Sequence, residues 1–455
     1  MASLHSQSAA SRQRVLFVTE PGMGHVHPLL PVMRTLQAGG HAVALATSRL
    51  YQERIEREGL PFYPLGPHYS EERLEEFFPL IRYLRLHYLR VSYDFLRIFM
   101  ASVPSRIPEL RRIAQDFQPS VVVAGPLTFA AQLFCEQQAL PWAVLSPMTH
   151  FMTPSLHAPP AGFPRVETLP PALRLPYRIG LRGAIRIATA LMAPWRRALS
   201  RYRRQLGLPP HADPLSPHVL APFLLIHTCS REYDYNRPDL SPQVHYVGPT
   251  VWDRPVDWQA PDWFGQLPAN KPLVYVTLGT VFNTRLGVFR KIIRALGQLD
   301  VLGLVVTGPG CPPELFSAVP PNVRVEAYIP QTALQTELKT RPALIISHGG
   351  VNTVMTALSH GIPLLCIPLG ADQPDNTQRC VDAGAGLRLD RRLLTTARLT
   401  RAIRTLLSQD SFTLQARKMQ HTLRRHNGPE EAAALIVRLA ETRAPVYRAL
   451  TSQPA

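Results

Sequence analysis

Short apolar runs alternate with amphipathic segments along most of the chain. The first run, residues 14–19 (RVLFVT), ends at the turn-forming Pro21-Gly22-Met23-Gly24, and an apolar-periodic segment follows from Val26 to Gln37. Gly39-Gly40 ends this helix, and the next apolar run extends from His41 to Ala46. The succession of strand, glycine loop, helix and strand predicts a βαβ unit.

The same rhythm recurs in two blocks separated by a Pro-rich stretch. Segments 74–112 and 177–204, rich in Leu, Ile, Tyr and Arg, are predicted as helical insertions in the first block. Pro429 to Thr442 has a helix-compatible apolar pattern with acidic residues in its first turn, which predicts a closing helix. Further strands are predicted at Ser120–Ala124, Trp142–Leu145, Phe223–His227, Leu273–Leu278, Leu302–Val306, Val323–Ala327, Ala343–Ile346 and Pro363–Ile367.

A chain of 455 residues is too long for one ordinary core, so two α/β domains of roughly 200 residues each are expected. We predict a Rossmann-like domain over residues 1–240, a linker over 241–270 and a second Rossmann-like domain over 271–428. The closing helix and tail take residues 429–455. A cleft between two doubly wound parallel sheets is then the natural ligand site.

Composition narrows the class of protein. Hydrophobic residues make up 45% and charged residues 18%, as in folded globular proteins, and the net charge is +17. The arginines are spread along the chain without a nucleic-acid-binding signature, so nucleic acid is not an expected partner. The start of the chain lacks a secretion signal, and no stretch of about 18 apolar residues is free of charge. The five cysteines are scattered, which favours a cytoplasmic setting.

The most informative stretch extends from Leu344 to Gly386. A predicted strand leads into His348-Gly349-Gly350, and Asn352-Thr353 opens a helix. Free N–H groups and the positive helix end favour an anion at such a junction, and the glycines let phosphate approach the backbone. These residues predict a diphosphate cradle without a lysine or a metal ligand. A Gly-Gly turn alone serves close packing equally well, but here Tyr328-Ile329-Pro330-Gln331 precedes it and Asp372-Gln373-Pro374 follows it.

From Val15 to about Leu439 the chain resembles the large family of nucleotide-sugar-dependent glycosyltransferases that includes UDP-glycosyltransferases and macrolide glycosyltransferases. The resemblance implies a GT-B fold with the donor bound mainly by the second domain and the acceptor mainly by the first. It assigns the donor site as follows: Tyr328 on the nucleobase, Gln331 on the nucleoside, Gly279, Thr280, His348, Gly350, Asn352 and Thr353 around the diphosphate, and Asp372 and Gln373 on the hydroxyls of the sugar.

The loop Gly22–Pro28 resembles the family loop whose histidine is the catalytic base, and His25 is the matching residue. Transfer to a hydroxyl requires a base within about 3 Å of the acceptor proton, and a histidine with a pKa near neutrality meets that need. The chain departs from the family at two places. Gly125 stands where an Asp often orients this histidine, so another group, water or substrate must orient His25, or the base is weakened. Thr356 stands where a Glu often holds the ribose, which makes dTDP-sugars plausible beside UDP-sugars.

These residues predict an inverting, metal-independent hexosyltransferase that needs no cofactor beyond its UDP- or dTDP-sugar. The apolar insertions indicate a hydrophobic, hydroxyl-bearing acceptor, a small molecule or a lipid, and their arginines permit peripheral contact with an anionic membrane. Two alternatives remain. One is a nucleotide-sugar-binding auxiliary protein with impaired catalysis, and the other is an enzyme such as an epimerase on the same architecture.

Overall fold

The computed structural model describes most of the chain from residue 12 to residue 448. The segments outside the described residues are 1–11, 70–73, 81–92, 148–154, 161, 217–219, 236, 252–258, 269, 280–284, 309, 331–332, 334–340 and 449–455.

The first domain is built on a parallel sheet that has seven strands within the described residues, in the order β3-β2-β1-β4-β5-β6-β7. The runs RVLFV, AVALAT and VVVA are apolar throughout because both faces of the sheet are covered. The strands are β1 (Arg14–Val18), β2 (Ala42–Thr47), β3 (Phe62–Pro64), β4 (Val121–Ala124), β5 (Trp142–Ser146), β6 (Leu224–His227) and β7 (Val244–Tyr246). The helices are α1 (Met23–Val26), α2 (Leu29–Ala38), α3 (Gln52–Arg57), α4 (Leu74–Phe77), α5 (Val103–Phe117), α6 (Phe129–Gln137), α7 (Pro171–Leu191) and α8 (Ala193–Gln205).

The second domain contains a parallel sheet with six strands in the described part of the chain, in the order β10-β9-β8-β11-β12-β13. Its strands are β8 (Leu273–Thr277), β9 (Leu302–Val306), β10 (Val323–Glu326), β11 (Pro342–Ser347), β12 (Leu364–Cys366) and β13 (Gly386–Arg388). Its helices are α9 (Leu286–Leu296), α10 (Val351–Ser359), α11 (Gln373–Asp382), α12 (Thr396–Ser408) and α13 (Asp410–Leu423), and α14 (Gly428–Thr442) follows. The predicted α/β class with two Rossmann-like sheets is confirmed.

Three short edge strands were not predicted from the sequence: β3, β7 and β13 each have three residues, too few to establish a periodic pattern. Strand β7 falls inside the segment 241–270 that was predicted as a linker, and it pairs with β6 at the edge of the first sheet.

The insertions predicted at 74–112 and 177–204 are helical where the structure describes them. The first contains α4, a π-helical segment over Asp94–Met100 and the start of α5, while residues 81–92 lie outside the described part. The second is longer than predicted, because α7 begins at Pro171, where Pro at the first helical position favours a helix start. Within the described ranges, no helix combines the length and apolar character needed to cross a bilayer.

The closing helix α14 returns from the second domain to the first. Ala432, Ile436 and Leu439 pack into the cluster that contains Val15 and Phe17 of strand β1. The helix occupies Gly428–Thr442, almost the range predicted from the sequence. The first sheet is therefore covered on one face by a segment that follows the whole of the second sheet.

A buried ion pair joins the segment after β6 to the second domain. Asp234 accepts hydrogen bonds from Arg379 Nε at 2.8 Å and from Tyr246 Oη at 2.7 Å, and both charged side chains are at most 3% exposed. The Arg379 guanidinium favours ionised Asp234 and holds the pKa of this carboxyl well below its usual range despite burial. Tyr233 donates to the Asn376 carbonyl at 2.8 Å. Helix α11 is thus anchored to the first domain by polar contacts that water does not reach.

Candidate functional site

The loop from β11 to α10 has the geometry of an anion site. Helix α10 begins after Gly350 without a side-chain cap, so the backbone N–H groups of its first turn are directed at whatever lies before the helix. Gly349 has a φ of +83° and could not carry a side chain, because a Cβ there would lie 2.2 Å from Thr377 Oγ1. The Ser347 hydroxyl accepts a hydrogen bond from Gly349 N at 3.1 Å and fixes the turn.

His348 lies between the two glycine loops that the sequence assigned to the diphosphate. A Cβ placed on Gly279 would be 2.6 Å from His348 Nε2, and one placed on Gly350 would be 2.4 Å from the same atom. Both glycines are therefore required for the ring to occupy this position. Burial lowers the pKa of His348 to about 4, so the ring is neutral at physiological pH and can donate a single N–H. Thr280 lies outside the described residues.

The segment at the start of α11 lies beside the same loop, since the carbonyl of Gln373 is close to Gly349. Gln373 is buried, and its Oε1 accepts hydrogen bonds from Leu369 N at 2.7 Å and Gly370 N at 3.0 Å. Asp372 is only partly buried, and it accepts a hydrogen bond from Asn376 Nδ2 at 2.7 Å. Burial raises the pKa of this carboxyl. Gln373 shapes the loop, and Asp372 keeps further carboxylate lone pairs for a ligand.

The remaining donor-site predictions divide into exposed and buried positions. Tyr328 is 47% exposed, which leaves its ring accessible for stacking, whereas Thr353 is buried in the first turn of α10. Gln331 lies outside the described residues. Thr356 is buried and its hydroxyl donates to the Asn352 carbonyl at 2.8 Å, so this position offers no group to a ribose.

In the first domain, His25 lies in the short helix α1 that follows strand β1. Met23 and Val26 of this helix are buried and hold it on the sheet. Burial lowers the pKa of His25 to about 4, so its imidazole is neutral well below pH 7. Among the described residues, the His25 ring has no hydrogen-bond partner. The neighbouring His27 differs, because its Nε2 lies 3.1 Å from Arg54 Nη2.

One hydrogen bond connects the two predicted halves of the site. Asn352 Nδ2, in the first turn of α10, donates to the Gly24 carbonyl at 3.2 Å. These residues are 328 positions apart in the chain and belong to different sheets. The contact places the loop that carries His25 directly opposite the N-terminus of α10.

Gly125, where the family often has an Asp, is enclosed by two hydroxyls that the sequence did not single out. A Cβ at this position would lie 2.9 Å from Thr19 Oγ1 and 3.0 Å from Thr128 Oγ1. Both threonines are at most 1% exposed, and neither hydroxyl has a hydrogen-bond partner in the described structure. The parallel register carries Thr19 and Gly125 side by side beyond the β1–β4 pairs. Two threonines separated by 109 positions carry no sequence signal of their own, so only the fold reveals them.

The search for metal sites covered the described residues, and it found no group of three or more His, Cys, Asp or Glu side chains placed to hold an ion.

Comparison with known proteins agrees with this geometry. Residues 22–140 match the glycosyltransferase family 28 N-terminal domain, and residues 290–439 match the erythromycin biosynthesis protein CIII-like C-terminal domain. The chain is 30% identical to 4'-demethylrebeccamycin synthase of Lentzea aerocolonigenes over 93% of its own length and 98% of that protein. It is 26% identical to the zeaxanthin glucosyltransferase of Pantoea ananas over 94% and 96% of the two chains.

Solved structures agree on the fold. The glycosyltransferase of kitacinnamycin superposes with a TM-score of 0.71 at 20% identity, covering 94% of this chain and 99% of the other. The spinosyn rhamnosyltransferase in complex with thymidine diphosphate gives 0.66 at 20% identity, covering 94% and 99%. The chain therefore belongs to the family of nucleotide-sugar-dependent glycosyltransferases of the macrolide and natural-product type, and it is an enzyme with the GT-B fold.

Proposed function

We propose that this enzyme is an inverting, metal-independent hexosyltransferase that uses a UDP- or dTDP-sugar and glycosylates a hydroxyl of a hydrophobic small molecule or lipid. The observation that carries the proposal is the hydrogen bond from Asn352 to the Gly24 carbonyl. It brings the anion-binding end of α10 and the histidine loop to the two sides of one gap. A sugar whose diphosphate lies at α10 would then present its anomeric carbon towards His25.

In the proposed reaction, neutral His25 accepts the proton of the acceptor hydroxyl. The acceptor oxygen forms a bond to the anomeric carbon, while the bond from that carbon to the diphosphate oxygen breaks on the opposite face. The configuration inverts, and the nucleoside diphosphate leaves with the bonding electrons. The lowered pKa of His25 supports its role, because the ring is already in the form that accepts a proton.

Charge on the departing diphosphate is stabilised by groups that are already in position. The uncapped N-terminus of α10 and the N–H of His348 are oriented dipoles in a partly buried site, where such donors are most effective. Their presence supports a mechanism in which no metal ion neutralises the leaving group.

Contacts around the nucleotide and sugar support the donor assignment. Asp372 has carboxylate lone pairs for sugar hydroxyls, which favours a hexose that retains these hydroxyls. Tyr328 is exposed enough to stack on uracil or thymine. Thr356 is engaged with the backbone and gives no preference for a ribose over a deoxyribose. A solved relative of the same fold holds thymidine diphosphate, which supports a dTDP-sugar as one donor.

A reducing cytoplasm is the setting we propose for this reaction. Its support is that all five cysteines are free thiols buried in the two domains.

The test is a screen of UDP- and dTDP-hexoses against hydrophobic alcohols and phenols, followed by mass spectrometry, with the anomeric configuration of the product determined by NMR. We expect an α-linked donor to give a β-linked product. His25→Ala should lower kcat by about 10²–10⁴-fold, the usual contribution of a general base. His27→Gln is the matched control in the same loop, and it should stay within a few fold of wild type because His27 is engaged with Arg54.

Three outcomes would contradict the proposal. A product with retained configuration would exclude a single displacement. Donor turnover without any acceptor would favour an epimerase, and nucleotide binding without transfer to any acceptor would favour an auxiliary protein. Full activity of His25→Ala would remove the assigned base.

A further inference from the structure

Helix α7 presents an apolar face that no described part of the protein covers. Of its 21 residues, Leu181 is the buried one. Leu175, Ile179 and Ile187 are 69%, 62% and 64% exposed. At 100° per residue these three side chains lie on the side of the helix opposite Leu181. Bulky aliphatic side chains exposed together along one helix face indicate a surface that contacts something apolar.

A row of arginines follows one edge of this face. Arg174, Arg178, Arg182 and Arg186 recur at every fourth position, and the helix contains no acidic residue. Within the described structure, the last three of these arginines have neither an ion-pair nor a hydrogen-bond partner. Helix α8 contains no acidic residue either. The face is therefore apolar along its centre and strongly positive along one side.

Helix α7 is held firmly on the first domain. The Tyr177 hydroxyl donates to the Pro164 carbonyl at 2.7 Å, which brings the neighbouring Phe163, itself 40% exposed, beside the first turns of the helix. At the other end α7 continues into α8, where Trp195 and Leu199 are buried in the core of the first domain. The exposed side chains are thus displayed on an anchored element.

We propose that α7 docks this enzyme on the surface of an anionic lipid bilayer. The aliphatic side chains enter the boundary between headgroups and acyl chains, and the arginines contact the anionic headgroups, as in interfacial amphipathic helices. The helix lies on the bilayer and does not cross it.

Charge selects a lipid surface over a second copy of the chain. Symmetric pairing of two α7 faces would bring their arginine rows together in a protein whose net charge is already +17. A bilayer of anionic lipids offers an apolar interior and negative charge in the same place. Docking through α7 also brings the first domain, the acceptor side of the proposed reaction, next to the membrane. This last consequence rests on the proposed function, whereas membrane binding itself does not.

The experiment is co-sedimentation of the full chain with vesicles of phosphatidylcholine alone or with about one third phosphatidylglycerol. We expect at least tenfold stronger partitioning to the anionic vesicles, weakened by salt as surface charges are screened. Replacing Arg178, Arg182 and Arg186 with Gln should reduce the partition coefficient by about fivefold per arginine, the factor that corresponds to about 1 kcal/mol per basic residue. The same three positions changed to Lys should retain binding.

The apolar contribution is tested by changing Leu175, Ile179 and Ile187 to Ser, which should abolish binding at physiological salt. The matched control changes Leu393 and Leu414 to Ser, since both are more than half exposed but belong to the second domain. This control should bind like wild type. Glycosyl transfer to a water-soluble acceptor should be unchanged in every variant, so loss of docking is distinguishable from loss of catalysis.

Equal binding of wild type to neutral and anionic vesicles, or undiminished binding of the Ser triple variant, would overturn the proposal. Self-association that the Ser triple variant removes, without vesicle binding by the wild type, would identify a second copy as the occupant instead.

Discussion

The pH dependence of glycosyl transfer should reveal whether His25 acts as a buried, neutral base. Burial lowers the pKa of this imidazole from 6.5 to about 4. The active form of a base is the deprotonated one, so activity is present above its pKa and is lost as the pH falls through it. For an ordinary histidine the fall would occur near pH 6.5, and for His25 it should occur near pH 4.

The magnitude follows from the two pKa values. At pH 5.5 an imidazole with a pKa of 6.5 is neutral in about one tenth of the molecules, whereas one with a pKa near 4 is neutral in nearly all of them. Between pH 7.5 and pH 5.5, kcat/KM should therefore change by less than about twofold, where an exposed histidine would give about tenfold. The assay is initial-rate kinetics across this range, because kcat/KM reports the ionisation of the free enzyme.

Folding must be followed in parallel. The lowered pKa values of His25, His27 and His348 mean that the unfolded chain binds more protons than the folded one below about pH 6.5. Stability therefore declines as the pH falls from there towards 4. Enzyme held at pH 5.5 and returned to pH 7.5 should recover its full rate, and its circular dichroism should be unchanged. A tenfold loss of kcat/KM centred near pH 6.5 in the folded enzyme would refute a buried neutral base.

Three further predictions concern stability, orientation of the base and donor choice. Asp234→Ala leaves the Arg379 guanidinium buried without its carboxylate and should cost about 3–5 kcal/mol in urea denaturation, while the exposed-pair control Glu53→Ala should change it by less than about 1 kcal/mol; a loss below 1 kcal/mol in the first variant would contradict the buried pair. Gly125→Asp should lower the melting temperature through overpacking of about 1–3 kcal/mol against two threonine hydroxyls and should not raise kcat/KM; faster transfer would mean that the site accepts the carboxylate. UDP-glucose and dTDP-glucose should give kcat/KM values within about tenfold, because Thr356 is bonded to the backbone; a hundredfold preference for UDP, worth about 2.7 kcal/mol, would require another group that grips the ribose 2′-hydroxyl.

Local sequence determined the repeating elements and the residues of the candidate site. Apolar runs such as residues 14–18 form buried strands, and the glycines after β8 and β11 mark the turns where the chain must leave the sheet. These signals are readable because strand and helix periodicity, and the positive φ at Gly279 and Gly349, depend on neighbouring residues alone. Short edge strands escaped prediction because three residues are too few to carry a period.

Tertiary structure decided how those pieces meet. The hydrogen bond between Asn352 and Gly24 joins residues that no local pattern connects, and α14 covers a sheet that begins more than 400 positions earlier. The threonines around Gly125 and the uncovered face of α7 likewise depend on which surfaces the other elements bury. Periodicity specifies which face of an element is apolar, but the partner of that face is chosen by packing the whole chain, and the site exists only where those choices bring distant loops together.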